Sequence, residues 1–310
     1  MEKHIYHKNN KKLSDIMADN IVSGAQMGTS LVSGKALRAE NLENLIICPG
    51  HGVYTGTKGS DPGSDANWAG IFSGEGVYYM QHAARAVELA SKDLRALVVF
   101  SGGQTRYAAG PISEGQSYWY MSDHQGWFGH PEVRDRAVTE DYARDSAENL
   151  RFSFIRFFQI TGQIPGAITA CGWGFKRQRY ELNFEGLKEM YIASLSRTVF
   201  TRSGTAFVAE KEAPGVFPVR FRYESVNNPE KIPSGPEGRV VSLYMNDKLG
   251  LNTPEIQAKS AARDPFRRGS AENYEHLAHV LHLALRDRIE VATAVAKAVA
   301  HKGRLSLAGR

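Results

Sequence analysis

Cysteine is nearly missing from this chain: Cys48 and Cys171 are the only two in 310 residues. Two thiols cannot build a disulfide framework, so a reduced, cytoplasmic setting is expected. Long apolar runs are absent as well. None approaches the roughly 18 residues that a membrane span needs, and the polar start has no apolar core of a secretory signal. Neither a membrane nor an oxidising compartment is therefore expected. Charge of one sign is scarce too. The net +5 comes partly from "HKNNKK" near the start and "HKGRLSLAGR" at the finish. No Lys/Arg stripe is interleaved with stacking aromatics, so nucleic acid is not an expected partner. A mild basic bias suits a small anionic ligand.

Several sequence motifs are missing, and each absence removes a class of chemistry. No G-x-x-x-x-G-K-[ST] loop and no G-x-G-x-x-G fingerprint occurs, which argues against P-loop and dinucleotide-dependent redox chemistry. No H-x-x-x-H or H-E-x-x-H spacing occurs, so no metal is expected.

What is present is an alternation of buried strands and helices. "NLIICPGHG" (44–52), "ALVVF" (96–100), "AVTED" (137–141) and "GAITACGWG" (166–174) are short apolar runs closed by glycine or acid. Continuous rather than alternating hydrophobicity predicts strands covered on both faces. Between them lie helical segments at 74–92, 113–122, 145–162 and 179–195. Ser113 with Gln116 and Asp145 with Glu148 form capping patterns, and Gly162 is a stop. The order predicts an α/β, Rossmann-like three-layer sandwich with a mostly parallel sheet. The expected organisation is an N-terminal extension over 1–43, the α/β domain over 44–245 and a helical C-terminal extension over 246–310 packed on it. Within that span, "FPVRFRYESV" alternates like a strand, "RVVSLYMNDKLG" reads as a short helix, and 270–300 reads as a long helical region.

Ligands in such folds bind beyond the carboxyl ends of the strands. The polar clusters collect there. Gly50 and His51 follow the first strand, while Ser101, Gly102 and Gly103 follow the second. Glycines at a strand end let a ligand approach backbone N–H groups, and the helix start at Glu114 adds a partial positive charge. Both features also serve a plain turn and a plain helix cap. Lys176 and Arg177 follow the fourth strand and suit phosphate or carboxylate, or form a solvated basic turn. Glu114, Glu140 and Glu148 are the candidate acid/base groups; Asp145, Ser146 and Asn149 would orient ligand groups, although capping alone explains Asp145 with Glu148. Thiol catalysis would need His51 as base, and a buried inert cysteine is the commoner case. Trp119, Tyr120, Trp127 and Phe128 form either core or an aromatic wall over the ligand.

"FSGGQT…PISEGQSYW…VTEDYARDSAENLRFS…ITACGWGFKRQR" resembles the YdcF-like superfamily (domain of unknown function 218, with the SanA and ElyC proteins). The shared pattern is Ser-Gly-Gly at a strand end, Ser-Glu opening a helix, a Glu after a later strand, a Glu-Asn helix start and an Arg-bearing segment. It matches Ser101, Gly102, Gly103, Glu114, Glu140, Ser146, Glu148, Asn149 and Arg177 over about residues 44–200. Asp145 stands where the family has Asn. The family's His shortly before the Arg has no counterpart at Gly174 or Phe175. "RDPFRR" (263–268) is similar to a segment of longer, eukaryote-type members. The resemblance implies a Rossmann-like fold and S-adenosylmethionine as a possible ligand, with no settled reaction. The expectation is a protein that binds a small anionic or nucleotide-like molecule, as a transferase or hydrolase or as a non-catalytic metabolite-binding module.

Overall fold

A computed structural model describes residues 39–195, 217–228 and 237–266. Residues 1–38 of the expected N-terminal extension and the helical region expected over 270–300 lie outside them. Five strands form one sheet: β1 (Asn44–Pro49), β4 (Ala96–Ser101), β5 (Ala137–Glu140), β6 (Ala167–Trp173) and β7 (Arg220–Asn227). Their order is β5-β4-β1-β6-β7, and every pairing is parallel. Two short strands, β2 (Val53–Tyr54) and β3 (Trp68–Ala69), make a separate antiparallel pair inside the Gly-rich segment that follows β1.

The two faces follow from the strand repeat of two. In β1, Leu45 and Ile47 point to one face, Ile46 and Cys48 to the other. The first face is covered by α3 (Ser146–Thr161) and α4 (Arg177–Leu195), through Leu150, Phe154, Phe157, Tyr180 and Leu187. The second is covered by α1 (Gly76–Ser91) and α2 (Glu114–His124), through Tyr79, Ala83, Val87, Tyr118 and Met121. The fold is thus an α/β sandwich of three layers, with both sheet faces dry. Two further helices, α5 (Glu237–Asn246) and α6 (Pro254–Ala262), form a small satellite core with the start of α3 through Tyr244, Ile256 and Ala147.

Helix boundaries obey local chemistry. Ser113 caps α2 by accepting from Gln116 N at 2.9 Å, and Asp145 caps α3 by accepting from Glu148 N at 2.9 Å. Gly162 ends α3 in the left-handed region, at φ 67°. Thr253 precedes Pro254 at the first turn of α6, where the missing N–H is harmless.

Trp119 donates to the carbonyl of Ala137, the first residue of β5, at 3.1 Å. That end of α2 therefore lies by the amino ends of the strands. Trp127 is buried, ring to ring with Trp119, and Trp119 and Phe128 pack partly buried against the same core, whereas Tyr120 is exposed.

Candidate functional site

Chain order sets where a site belongs. From β1 the sheet grows outward through β4 and β5, then the chain returns beside β1 to build β6 and β7. Crossovers leave β1 and β6 in opposite directions, so a crevice opens between their carboxyl ends. Gly50 and His51 leave one of these strands, and Gly174–Lys176 form the turn that leaves the other.

In that crevice His51 Nδ1 lies 3.3 Å from Lys176 Nζ. The ring is flanked by Tyr79 at 5.4 Å, His82 at 5.5 Å and Trp173 at 6.4 Å between centroids. Its Nε2 is buried with no hydrogen-bond partner among the described residues. Burial, then the charge of Lys176, hold the His51 imidazole well below its usual range, so the ring is neutral near pH 7. Behind it, His82 hydrogen-bonds Asn227 Oδ1 at 3.1 Å, and burial pushes it down to about 3.

Glu114 approaches from the next strand end. A Cβ at Gly50 would fall 2.4 Å from Glu114 Cβ and 2.8 Å from its Oε2; one at Gly102 would fall 2.7 Å from each. These two glycines form the slot that admits the side chain. Thr105 Oγ1 donates to Glu114 Oε1, and Arg106 Nε stands 3.9 Å from the same oxygen. Arg106 Nη2 also donates to the His51 carbonyl at 2.8 Å, while its Nε is buried without a hydrogen-bond partner. Burial raises the Glu114 carboxyl above its ordinary value, against the lowering effect of Arg106 and Thr105.

The Ser-Gly-Gly turn does something other than the sequence reading expects. Gly102 N donates to Glu140 O at 2.9 Å and Gly103 N to Ala143 O at 2.6 Å. The first amides of α2, Glu114 N and Gly115 N, donate to Gly103 O and Gly102 O. The amides expected to receive an anion are already engaged by protein carbonyls. What the turn supplies is close approach.

Ser101, Glu140 and Asn149 form a buried network below the crevice. Ser101 Oγ donates to Glu140 Oε2 at 2.6 Å; Tyr142 N and Ala143 N donate to Oε1 at 2.7 and 3.1 Å. Asn149 Nδ2 donates to Ser101 O and Oγ at 3.0 and 2.9 Å. The arrangement ties β4, β5 and α3 together. Glu148 is enclosed by Arg144, which donates from its backbone N at 2.8 Å, Nε at 3.0 Å and Nη2 at 2.6 Å. Asp145, besides capping, accepts from Ser260 Oγ at 2.7 Å, and Ser146 is buried at the start of α3. These acids hold the scaffold.

The structure thus brings Gly50, His51, Gly102, Glu114 and Lys176 to one place. Arg177 turns away: it is exposed, donates to Ser225 Oγ at 3.0 Å and lies over the Tyr223 ring. The buried arginine of this segment is Arg179, which makes a two-point ion pair with Glu237.

Four residues that sequence reasoning missed add charge or hydrogen bonds here: Thr105, Arg106, Lys259 and Arg263. Arg263 follows α6, donates to Arg144 O at 2.8 Å and acts electrostatically on His51, Glu114 and Lys176. Phe266 stacks on Tyr107 at 5.8 Å, fastening this segment to the loop after β4. Thr253-Pro254 is a helix-start signal that would have found α6. Nothing in "RDPFRR" itself marks Arg263 as acting on His51, Glu114 and Lys176. Both thiols, Cys48 and Cys171, are buried and free, and burial pushes Cys171 up to about 12, so neither ionises near neutrality. Among the described residues, no group of three or more His, Cys, Asp and Glu is placed to hold a metal ion, and no helix is long and apolar enough to cross a membrane.

No family model matches the chain, and no solved structure matches it. It is similar to the uncharacterized protein YOR238W of Saccharomyces cerevisiae, at 27% identity over 33% of this chain and 45% of the yeast protein. The match spans less than half of that relative's length.

Proposed function

We propose that the crevice between β1 and β6 binds a small anionic, phosphate-bearing or nucleotide-like ligand, and that the chain is an enzyme of transferase or hydrolase type working in the cytoplasm. One observation carries this reading. The guanidinium groups of Arg106 and Arg263 act at the strand ends of the switch point beside the Lys176 amine, and burial raises the carboxyl among them, Glu114, above its ordinary value. Such a cluster lacks compensating negative charge, which an anion supplies. In this reading Arg106 and Arg263 grip the anion, while neutral His51 accepts a proton and Glu114, whose carboxyl burial makes easier to protonate, donates one. The aromatic side of the crevice, Tyr79 and Trp173, offers stacking partners. The surplus of cations favours a net negative ligand over S-adenosylmethionine, whose sulfonium would be repelled.

Membership of the YdcF-like superfamily is part of the proposal. Taking the inward-facing Arg179 as the family's arginine, in place of Arg177, sets Lys176 shortly before it, where the resemblance expects a histidine. Lys176 then holds the position of a polar group next to His51.

Thermal denaturation with inorganic phosphate, ADP and sulfate tests the binding step. Phosphate at a hundred times its Kd should stabilise the protein by about 2.7 kcal/mol, and Arg106→Gln should remove most of that gain. A melting temperature indifferent to all three anions at tens of millimolar would refute the reading.

A further inference from the structure

We propose that Lys176 is a nucleophilic amine that condenses with the carbonyl group of a small anionic aldehyde or ketone, making the carboxyl end of β6 an imine-forming site. This rests on the anion-binding reading above and adds to it the substrate's chemical class.

The hydrogen-bonding neighbour of Lys176 Nζ among the described residues is His51 Nδ1, at 3.3 Å, an imidazole and not a carboxylate. Nζ also lies over the Phe175 ring, 5.9 Å from its centroid, which offers no full charge. Three cations act on the amine, Arg179, Arg263 and Lys259, against two carboxyls, Glu237 and the buried Glu114. Glu237 is itself engaged by both ends of the Arg179 guanidinium. A half-buried lysine among other cations, with no carboxylate in hydrogen-bond reach among the described residues, is costly to keep charged. Burial first, and Arg179 next, accordingly hold Lys176 well below the usual ammonium range. Desolvation and a neighbouring cation are the two means by which a lysine becomes a nucleophile at neutral pH.

The rest of the crevice fits the same chemistry. Arg106 and Arg263 offer guanidinium groups for the carboxylate or phosphate of the substrate, which leaves the amine free of ionic pairing. His51 touches Nζ and is itself neutral, so it can take a proton from the nitrogen. In the addition step the Nζ lone pair forms the C–N bond as the C=O π pair moves to oxygen. One Nζ proton passes to His51 Nδ1 and from there to that oxygen, giving a carbinolamine. In the second step nitrogen expels the hydroxyl group, which leaves as water with the remaining Nζ proton, and a neutral C=N bond is left. The sum is RCHO plus RNH2 giving RCH=NR plus water, with no oxidant or reductant.

Reductive trapping on the full chain tests the step. Pyridoxal 5′-phosphate and glyoxylate, both anionic aldehydes, are incubated with the protein at pH 7, reduced with sodium borohydride and located by peptide mass mapping. Lys176 should be the first lysine modified. Pyridoxal, which lacks the phosphate, should label it about tenfold more slowly, the factor of one pK unit of lost attraction. Inorganic phosphate should protect it, and His51→Ala should slow trapping without changing where it occurs. Adducts confined to other lysines would overturn the proposal, even if phosphate raises the melting temperature and so upholds anion binding. Lys176 labelling that phosphate neither blocks nor accompanies with a thermal shift would uphold the amine and overturn the anion site.

Discussion

Glu140 accepts hydrogen bonds from Ser101, Tyr142 and Ala143, all of which favour its charged form. Burial outweighs them, and the carboxyl is pushed up from 4.5 to about 8. Between those values the folded chain holds a proton that the unfolded chain has released. Stability from this group is therefore complete below about 4.5 and declines as pH rises toward 8. The shift caps the effect at about 5 kcal/mol. His82, His51 and Lys176 are shifted downward and act with the opposite sign, so a raw pH curve mixes both. Glu140→Gln keeps the oxygen that faces Tyr142 N and Ala143 N and cannot ionise. Urea midpoints of wild type minus variant should fall between pH 5 and pH 8.5; a flat difference would show that the buried carboxyl does not titrate there. Gly50 is the second residue-scale case. Gly50→Ala places a methyl 2.4 Å from Glu114 Cβ. Overpacking of this kind costs about 1–3 kcal/mol, and it should also weaken phosphate binding by displacing Glu114.

At the scale of elements, α3 carries the clearest coupling. Its cap, Asp145, holds Glu148 N with one oxygen and Ser260 Oγ of α6 with the other. Losing an N-cap costs about 1 kcal/mol. Asp145→Ala should exceed that, because the Ser260 hydroxyl is buried with it, and Asp145→Asn should recover most of the loss. A double-mutant cycle with Ser260→Ala should return a coupling of about 0.5–1 kcal/mol. Zero coupling would mean that α6 is held by Ile256 and Tyr244 alone.

Elements were also where the sequence was most legible. Buried strands announce themselves when both faces are dry: "LIIC" and "ALVVF" have no polar residue to suggest another state, and β1 and β4 fall within a residue of those runs. Ser113, Asp145 and Gly162 mark helix ends because capping is local chemistry. The β2–β3 pair was not legible. Val53–Tyr54 and Trp68–Ala69 are two residues each, joined across a long polar loop, and what stabilises them is Trp68 packing on Tyr54, Tyr79 and Tyr118. A tertiary contact of that kind leaves no period in the chain.

For the whole molecule the sequence placed its candidate residues at the carboxyl ends of the strands, and the structure brings some of them together there. Gly50, His51, Glu114 and Lys176 could be placed from their strands. Arg177 could not be told from Arg179, since a turn of helix decides which faces inward, and Glu148 could not be told from a scaffold acid without Arg144. Arg106 comes from a segment with no motif of its own, and "RDPFRR" names Arg263 without placing it at this edge. Arg263 also links the scale of the site to that of the fold. It is tied to Arg144 O, α6 is tied to Asp145, and Phe266 rests on Tyr107. An anion gripped by Arg106 and Arg263 would therefore join the loop after β4 to the segment after α6, two pieces of chain that meet through the stack of Tyr107 on Phe266. Local opening of α6 should then become rarer by the free energy of the added contact. Hydrogen exchange followed by mass spectrometry reads this directly. Amides of residues 254–262 should exchange about tenfold more slowly with saturating phosphate, the response to about 1.4 kcal/mol, while those of β1 and β4 hardly change. Arg263→Gln should abolish the slowing without altering exchange in the unliganded protein by a comparable factor. Slowing that persists in Arg263→Gln would assign the link to another side chain, and slowing spread evenly over the sheet would show that phosphate acts on global stability rather than through this arm.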